Sequence, residues 1–291
     1  NGLKGDMKGV QLAGFCNNTF GSADGLEIAG FYNYNHGYVK GFQIAGFVNA
    51  CMSDVVGGQI AGFANHTQGS STLQVSGFSN SSMGDESGLQ VAGFANFQTG
   101  DGLGGQIAGF ANASTGYIKG VQVAGFANFA RKIKGIQVAP FNVADTIEDG
   151  IAIGFWSIVR NGYKTIQIGG NESLYGEISL KSGVRKFYNI LSVGASLKNN
   201  EIKWGWGYGL GTIWGITNRM DLSLEAMSYH LNQDRWWSND TNLLNRLNMT
   251  VSYQLTKTFS VYAGPAWNVW VTDIRNSAET MDPTFSDWTV Y

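Results

Sequence analysis

Cysteine, histidine and proline are all scarce in this 291-residue chain, at two, three and three residues. Two cysteines cannot build a disulfide framework or a four-thiolate zinc site. The histidines, His36, His66 and His230, share no ligand spacing; the first two fall in linkers that differ from one to the next. Charge is also low, at 14% of residues and a net of −2. Only seven Lys/Arg stand in the first 150 residues, which excludes the basic footprint of a nucleic-acid-binding protein. No run of eighteen apolar residues exists, so no transmembrane helix is expected. A mean hydropathy of −0.10 leaves a membrane β-barrel open, because alternation hides the apolar half of each strand. No signal peptide is visible, and an opening residue Asn1 in place of Met predicts a processed or partial N-terminus.

Glycine, in contrast, is abundant, with 41 residues, and much of it is periodic. The phrase GGQIAGFAN occurs twice, with close variants around it. Anchored on Gln11, Glu27, Gln43, Gln59, Gln74, Gln90, Gln106, Gln122 and Gln137, the copies repeat every 16 residues, with steps of 15 before Gln74 and Gln137. An aliphatic residue follows each anchor and Phe stands four after it, from Phe15 to Phe141. Asn stands six after each of the first eight anchors. A period this short is too small for a helical hairpin, and three glycines per unit would each cost a helix about 1 kcal/mol. Alternation through IAGF reads as short strand, with glycine at the corners.

The fold class that follows is all-β: a parallel β-solenoid of about nine 16-residue coils, then an antiparallel β-barrel-like meander. At about 4.8 Å per coil, nine coils make a rod of roughly 43 Å. Identical residues stack into ladders, and the expected core is an aliphatic ladder and a Phe ladder with Gln and Asn ladders beside them. Phe63 should touch Phe78, and Phe94 should touch Phe110. Phe94→Ala is then a core truncation costing about 3–5 kcal/mol. In the rival reading each repeat is one strand of a transmembrane barrel. That would alternate two kinds of linker with a period near 32, whereas TGYIK, HGYVK and ARKIK keep one flavour. Cys16 and Cys51 stand two coils apart, about 9.6 Å, beyond disulfide reach.

All nine tryptophans come after residue 155 and glycine thins out there, which sets the expected domains at 1–155 and 156–291. The segment GIAIGF at 150–155 reads as a last, degenerate coil. Beyond about residue 165 the alternation is that of antiparallel strands, about seven in number. Leu247, Met249, Val251, Tyr253 and Leu255 share one face, and Asn248, Thr250, Ser252, Gln254 and Thr256 the other. Met220, Leu222 and Leu224 likewise oppose Asp221, Ser223 and Glu225. Short turns at 217–219 and 256–257, long polar loops at 232–243 and 271–286, and aromatic strand ends suit an outer-membrane barrel. FSDWTVY at 285–291 reads as the start of a closing strand. A soluble sandwich with one wet face would show the same alternation.

The GxQxAGFxN phrase over residues 1–142 resembles the bacterial surface repeat-containing proteins of diderm bacteria, with a looser likeness at TFSVYAGP, 258–265. The resemblance implies a cell-envelope, outer-membrane location. It implies no established activity and transfers no functional residue.

Chemistry is sparse. Asp85–Glu86, Asp101 and Glu148–Asp149 are the only acidic groups from which a polysaccharide-cleaving site could be built, and they read as solvated linkers. The glycines recur in every coil and match neither a phosphate loop nor a dinucleotide fingerprint. Glu27 interrupts the Gln ladder, where a carboxylate can accept amide hydrogen bonds. Tyr32, Tyr34, Tyr38 and Tyr117 are candidates for a glycan-binding face. No catalytic, cofactor or metal residues are assigned. The functional expectation is a non-enzymatic outer-membrane or cell-surface protein, a rigid scaffold or binding surface. Its expected partners are outer-membrane lipid, other outer-membrane proteins or a surface glycan. The alternatives are a polysaccharide-binding or -cleaving solenoid and a barrel built from the whole chain.

Overall fold

The computed structural model describes residues 2–198, 201–233, 242–272 and 288–289, and the chain divides into two units, Asn1–Asn161 and Gly162–Tyr291. The first unit is a parallel β-solenoid of about ten turns. Each coil holds one long and one short strand, as in Val39–Ala45 followed by Val48–Cys51. Every strand pairs in parallel with its counterpart one repeat away: Gln43 lies opposite Glu27 on one side and Gln59 on the other. Parallel register rules out the barrel built from repeated strands, whose neighbours would be antiparallel. Trp156–Val159 pairs with Phe141–Ala144 as the last short strand, so the solenoid runs a few residues past the expected boundary at 155. GIAIGF is indeed a coil, with Ile151 opposite Ile136.

The expected core is corrected. Phe31 to Phe141 are all 39–45% exposed, and the aliphatic residues beside the anchors also face outward, Leu12 and Ile60 among them. The interior is polar. Gln43, Gln59, Gln74 and Gln90 are fully buried, as are Asn33, Asn49 and Asn112. Period-two alternation says which residues share a face, and the rule that apolar residues go inside was then applied to the wrong one. What overrides the rule is mutual satisfaction. Asn49 Nδ2 donates to Asn65 Oδ1 at 2.9 Å and to the Ile60 carbonyl at 2.8 Å. Gln59 Nε2 donates to Gln43 Oε1 at 2.9 Å. The Asn column donates toward the C-terminal end and the Gln column toward the N-terminal end, so the two rows of amide dipoles oppose each other. An amide that keeps its hydrogen bonds can be buried without the desolvation penalty that excludes lone polar groups. Small apolar residues complete the interior, in clusters around Val39, Cys51 and Val55 and around Ile118 and Ile133.

The glycine two residues before every anchor except Gln74, which has Thr72 there, has a steric reason. Gly57 has φ of 133°, and a Cβ there would sit 2.0 Å from the Gly41 carbonyl oxygen one coil below. A side chain at Gly57 would have to displace that carbonyl. The 15-residue step before Gln74 comes from a residue missing from the long strand, between Ser71 and Leu73.

Among the described residues the second unit is a curled, mainly antiparallel sheet, a half-barrel of nine strands against the about seven expected. Hairpins link Tyr163–Gly169, Gly176–Val184, Phe187–Lys198, Glu201–Gly215 and Met220–Gln233 in sequence order. Asn242–Gln254 then pairs with both Ser260–Ala263 and Ala266–Thr272. The turns at 217–219 and 256–257 are as expected; of the two long loops, 234–241 and 273–286 lie outside the described residues, as does most of the 285–291 stretch. Gly205, Gly207, Gly209 and Gly211 form an inward row on Glu201–Gly215, and a Cβ at Gly207 would lie 2.5 Å from the Tyr229 ring. That glycine row lets Tyr188, Met227 and Tyr229 lie flat inside the curl.

Candidate functional site

The acidic residues from which a catalytic site could be built are dispersed in the structure. Asp85 Oδ1 accepts the Asp101 backbone N–H at 2.8 Å, and Asp101 Oδ1 accepts that of Tyr117 at 2.8 Å. Asp6 and Asp54 do the same for Ser22 and Ser70. These aspartates cap one corner of the coil. Glu86 is corrected from solvated linker to interior residue: it is 2% exposed, in the column that holds Val55 and Ile118. Ser71 Oγ donates to its Oε2, while its Oε1 has no partner, and burial pushes its pKa up to about 7. Glu148 instead sits on the surface, with Lys132 Nζ at 2.8 Å and the Tyr117 hydroxyl at 2.9 Å, which together hold its pKa below the usual carboxylate range.

The other singled-out residues are structural. Glu27 closes the Gln column as its acceptor: Gln43 Nε2 and Thr19 Oγ1 both donate to it at 3.0 Å, although burial still raises its pKa. No disulfide joins Cys16 and Cys51; the Cys51 thiol is buried, bonded to the Gly37 carbonyl, and burial pushes its pKa up to about 11. His66 faces outward between Ala50 and Ser81. Tyr32 and Tyr34 share the short strand Tyr32–Asn35, with Tyr38 just beyond it, whereas Tyr117 stands five coils further along the solenoid. The four tyrosines therefore make no single glycan platform. Among the described residues no group of three His, Cys, Asp or Glu could hold a metal ion.

What the fold does assemble is an outward apolar surface on each unit. On the solenoid, Phe15, Phe31, Phe47, Phe63, Phe78, Phe94, Phe110 and Phe126 form one continuous stack along a corner. The expected pairs Phe63–Phe78 and Phe94–Phe110 are both in contact, with centroids 4.9 Å apart and rings within 1° of parallel. Phe141 and Phe155 extend the stack with tilted rings. Two aliphatic columns run beside it on the long-strand face: Leu12, Ile28, Ile44, Ile60 and their successors, and Val10, Leu26, Phe42 and theirs. Each ring covers its neighbours' faces and leaves its own edge in the open.

On the half-barrel, the convex face shows Ile166, Ile168, Ile178, Val193, Trp206, Trp214, Met249 and Val251, all 38% exposed or more. Its concave face holds ions. Lys181 and Glu225, each side chain 4% exposed, pair with one another, and the Tyr188 hydroxyl donates to Glu225 at 2.6 Å. Glu177 accepts from Tyr229, Ser192, Ser179 and Arg246, at 2.7, 2.9, 3.0 and 3.2 Å. Arg246 also donates to Asn268 at 2.9 Å and Asn171 at 2.7 Å. Beside this network lies a cleft of about 320 Å³ lined by Tyr163, Lys181, Arg185, Glu225 and Tyr262. The pairing of residues as distant as Glu177 and Arg246 had no signal in the sequence. No protein-family model, curated protein or solved structure matches the chain.

Proposed function

We propose that this protein is a non-enzymatic structural component of a bacterial outer membrane, in which the half-barrel sits in lipid and the solenoid serves as a rigid scaffold. One observation carries the reading. The second unit buries Lys181, Glu225 and Arg246 while turning isoleucine, valine and tryptophan outward. Water rewards the reverse arrangement, and a bilayer rewards this one. A scaffold role is supported by the use of the acidic residues, since Asp85 and Asp101 cap coils and Glu86 points inside. The resemblance of the repeats to bacterial surface repeat-containing proteins favours the same location. The test is extraction and flotation of the full chain. It should need detergent to stay monodisperse and should float with phospholipid vesicles once detergent is removed. A monodisperse full chain in plain buffer, remaining at the bottom of the gradient, would defeat the proposal.

A further inference from the structure

We infer that the solenoid itself lies along a lipid surface, with its Phe corner and the adjoining aliphatic columns seated in the acyl layer and its Asp-capped corner in water. This rests on the reading of the chain as membrane-bound, and names what the rod touches.

Area comes first. At about 40% exposure, ten Phe side chains of roughly 200 Å² leave on the order of 800 Å² of ring edge in one stripe, before the aliphatic columns are added. The largest apolar patch on an ordinary soluble monomer is roughly 300–600 Å².

Chemistry selects the occupant. The three columns contain Phe, Ile, Leu, Val and two glycines, Gly58 and Gly105, and no side chain in them carries a polar atom. Their backbone groups are engaged in the parallel ladder on both sides. A protein partner is normally recognised through about one hydrogen bond per 100–200 Å², and this stripe offers no side-chain donor or acceptor to make them. A surface with no directional groups suits an apolar fluid.

The charges are sorted to match. Asp6, Asp54, Asp85 and Asp101 occupy the corner opposite the Phe stack, where the exposed positions vary from coil to coil and Phe20, His36 and Gln68 take equivalent places. Between that corner and the aliphatic columns runs a border row with Lys8, Lys40, Lys119 and Lys134 against Asp24 and Glu148. Lysine stems can lie along apolar surface while the ammonium reaches headgroup phosphates.

The test uses the full chain with C16S and C51S; Ser suits the second site because Thr67 and Ser82 occupy the same inward column. Single spin labels are attached at F94C, at Q68C on the polar corner, and at V193C on the half-barrel, in phosphatidylcholine–phosphatidylglycerol vesicles. Collision rates with oxygen and with a water-soluble nickel chelate are compared. The label at position 94 should favour oxygen severalfold and the one at 68 should favour nickel. A second label at F63C, equally exposed, guards against one ill-folded variant. Nickel preference at 94 and 63 would overturn the inference. So would shielding from both reagents together with a doubled particle mass, which would assign the stripe to a second copy. Position 193 reports separately: oxygen preference there with nickel preference at 94 defeats only this inference, and nickel preference at both defeats the membrane reading as well.

Discussion

The two units bury polar groups by opposite means. In the solenoid the buried amides of the Asn and Gln columns are mostly met by copies of themselves one coil away, as Asn65 is by Asn49 and Asn80. In the half-barrel every buried ion is met by an unlike group placed once, as Arg246 is by Glu177, Asn171 and Asn268. Periodic satisfaction needs no charge and spreads over the whole rod. Single-use satisfaction concentrates on a few residues, and a single substitution there strands several partners.

The sharpest break of that contrast is Arg246→Met. It removes three hydrogen-bonded contacts and leaves Glu177 short of its counter-charge, which should cost about 3–5 kcal/mol. Denaturant unfolding followed by tryptophan fluorescence reads it, because all but one tryptophan lie in the second unit. Loss below about 1 kcal/mol would mean the network is dispensable. Asn80→Ala comes next. Its Nδ2 serves Asn96, Gln74 and Val91, and its Oδ1 serves Asn65, so stranding those groups should cost about 3–4 kcal/mol. Phe94→Ala, in spite of the larger side chain, should cost only about 1–2 kcal/mol, since the ring edge is already open and only stacking is lost. Hydrogen exchange of the neighbouring coils measures both, and the reverse ranking would restore a Phe core.

The remaining effect belongs to Glu86 and depends on pH. Its pKa is raised from 4.5 to about 7 in the folded chain by burial, so the neutral acid is the form that folding favours. Its contribution is therefore fully present below about pH 4.5 and is lost as pH rises through 7, with a total of up to about 3 kcal/mol. Solenoid stability at pH 5 should exceed that at pH 8, and Glu86→Gln should flatten the difference. An unchanged slope in that variant would assign it to other groups.

Much of this was legible beforehand, and the gaps have particular causes. Nine in-phase anchors specify parallel coils, and the alternation from Leu247 to Tyr253 specifies which residues of that strand face out. The inside of the solenoid was misread because a two-faced strand looks the same to its own periodicity whichever face is buried. The useful signal was that Asn recurs without variation while linker polars drift: an exposed Asn would have no reason to repeat in register. Glu86 looked like a linker residue because it was read beside Asp85; counted four back from Gln90, it falls in the column of Val39 and Val55. The Glu177–Arg246 contact joins strands far apart in sequence, and no local pattern marks such a pair.

The opposed donor directions of the Asn and Gln columns give the rod a chemically polar growing end. A finished coil presents to the next one an Asn amide hydrogen seeking an acceptor and a Gln oxygen seeking a donor, so an arriving coil carrying Asn and Gln in place completes both at once. The same template would accept any coil equally, including one displaced by a whole repeat. Correct counting then falls to the irregular members: Glu27, which accepts but cannot donate; the Ser71–Glu86 contact; and Pro140, which has no amide hydrogen to offer. In a chain written almost entirely in copies, these misprints are what number the pages.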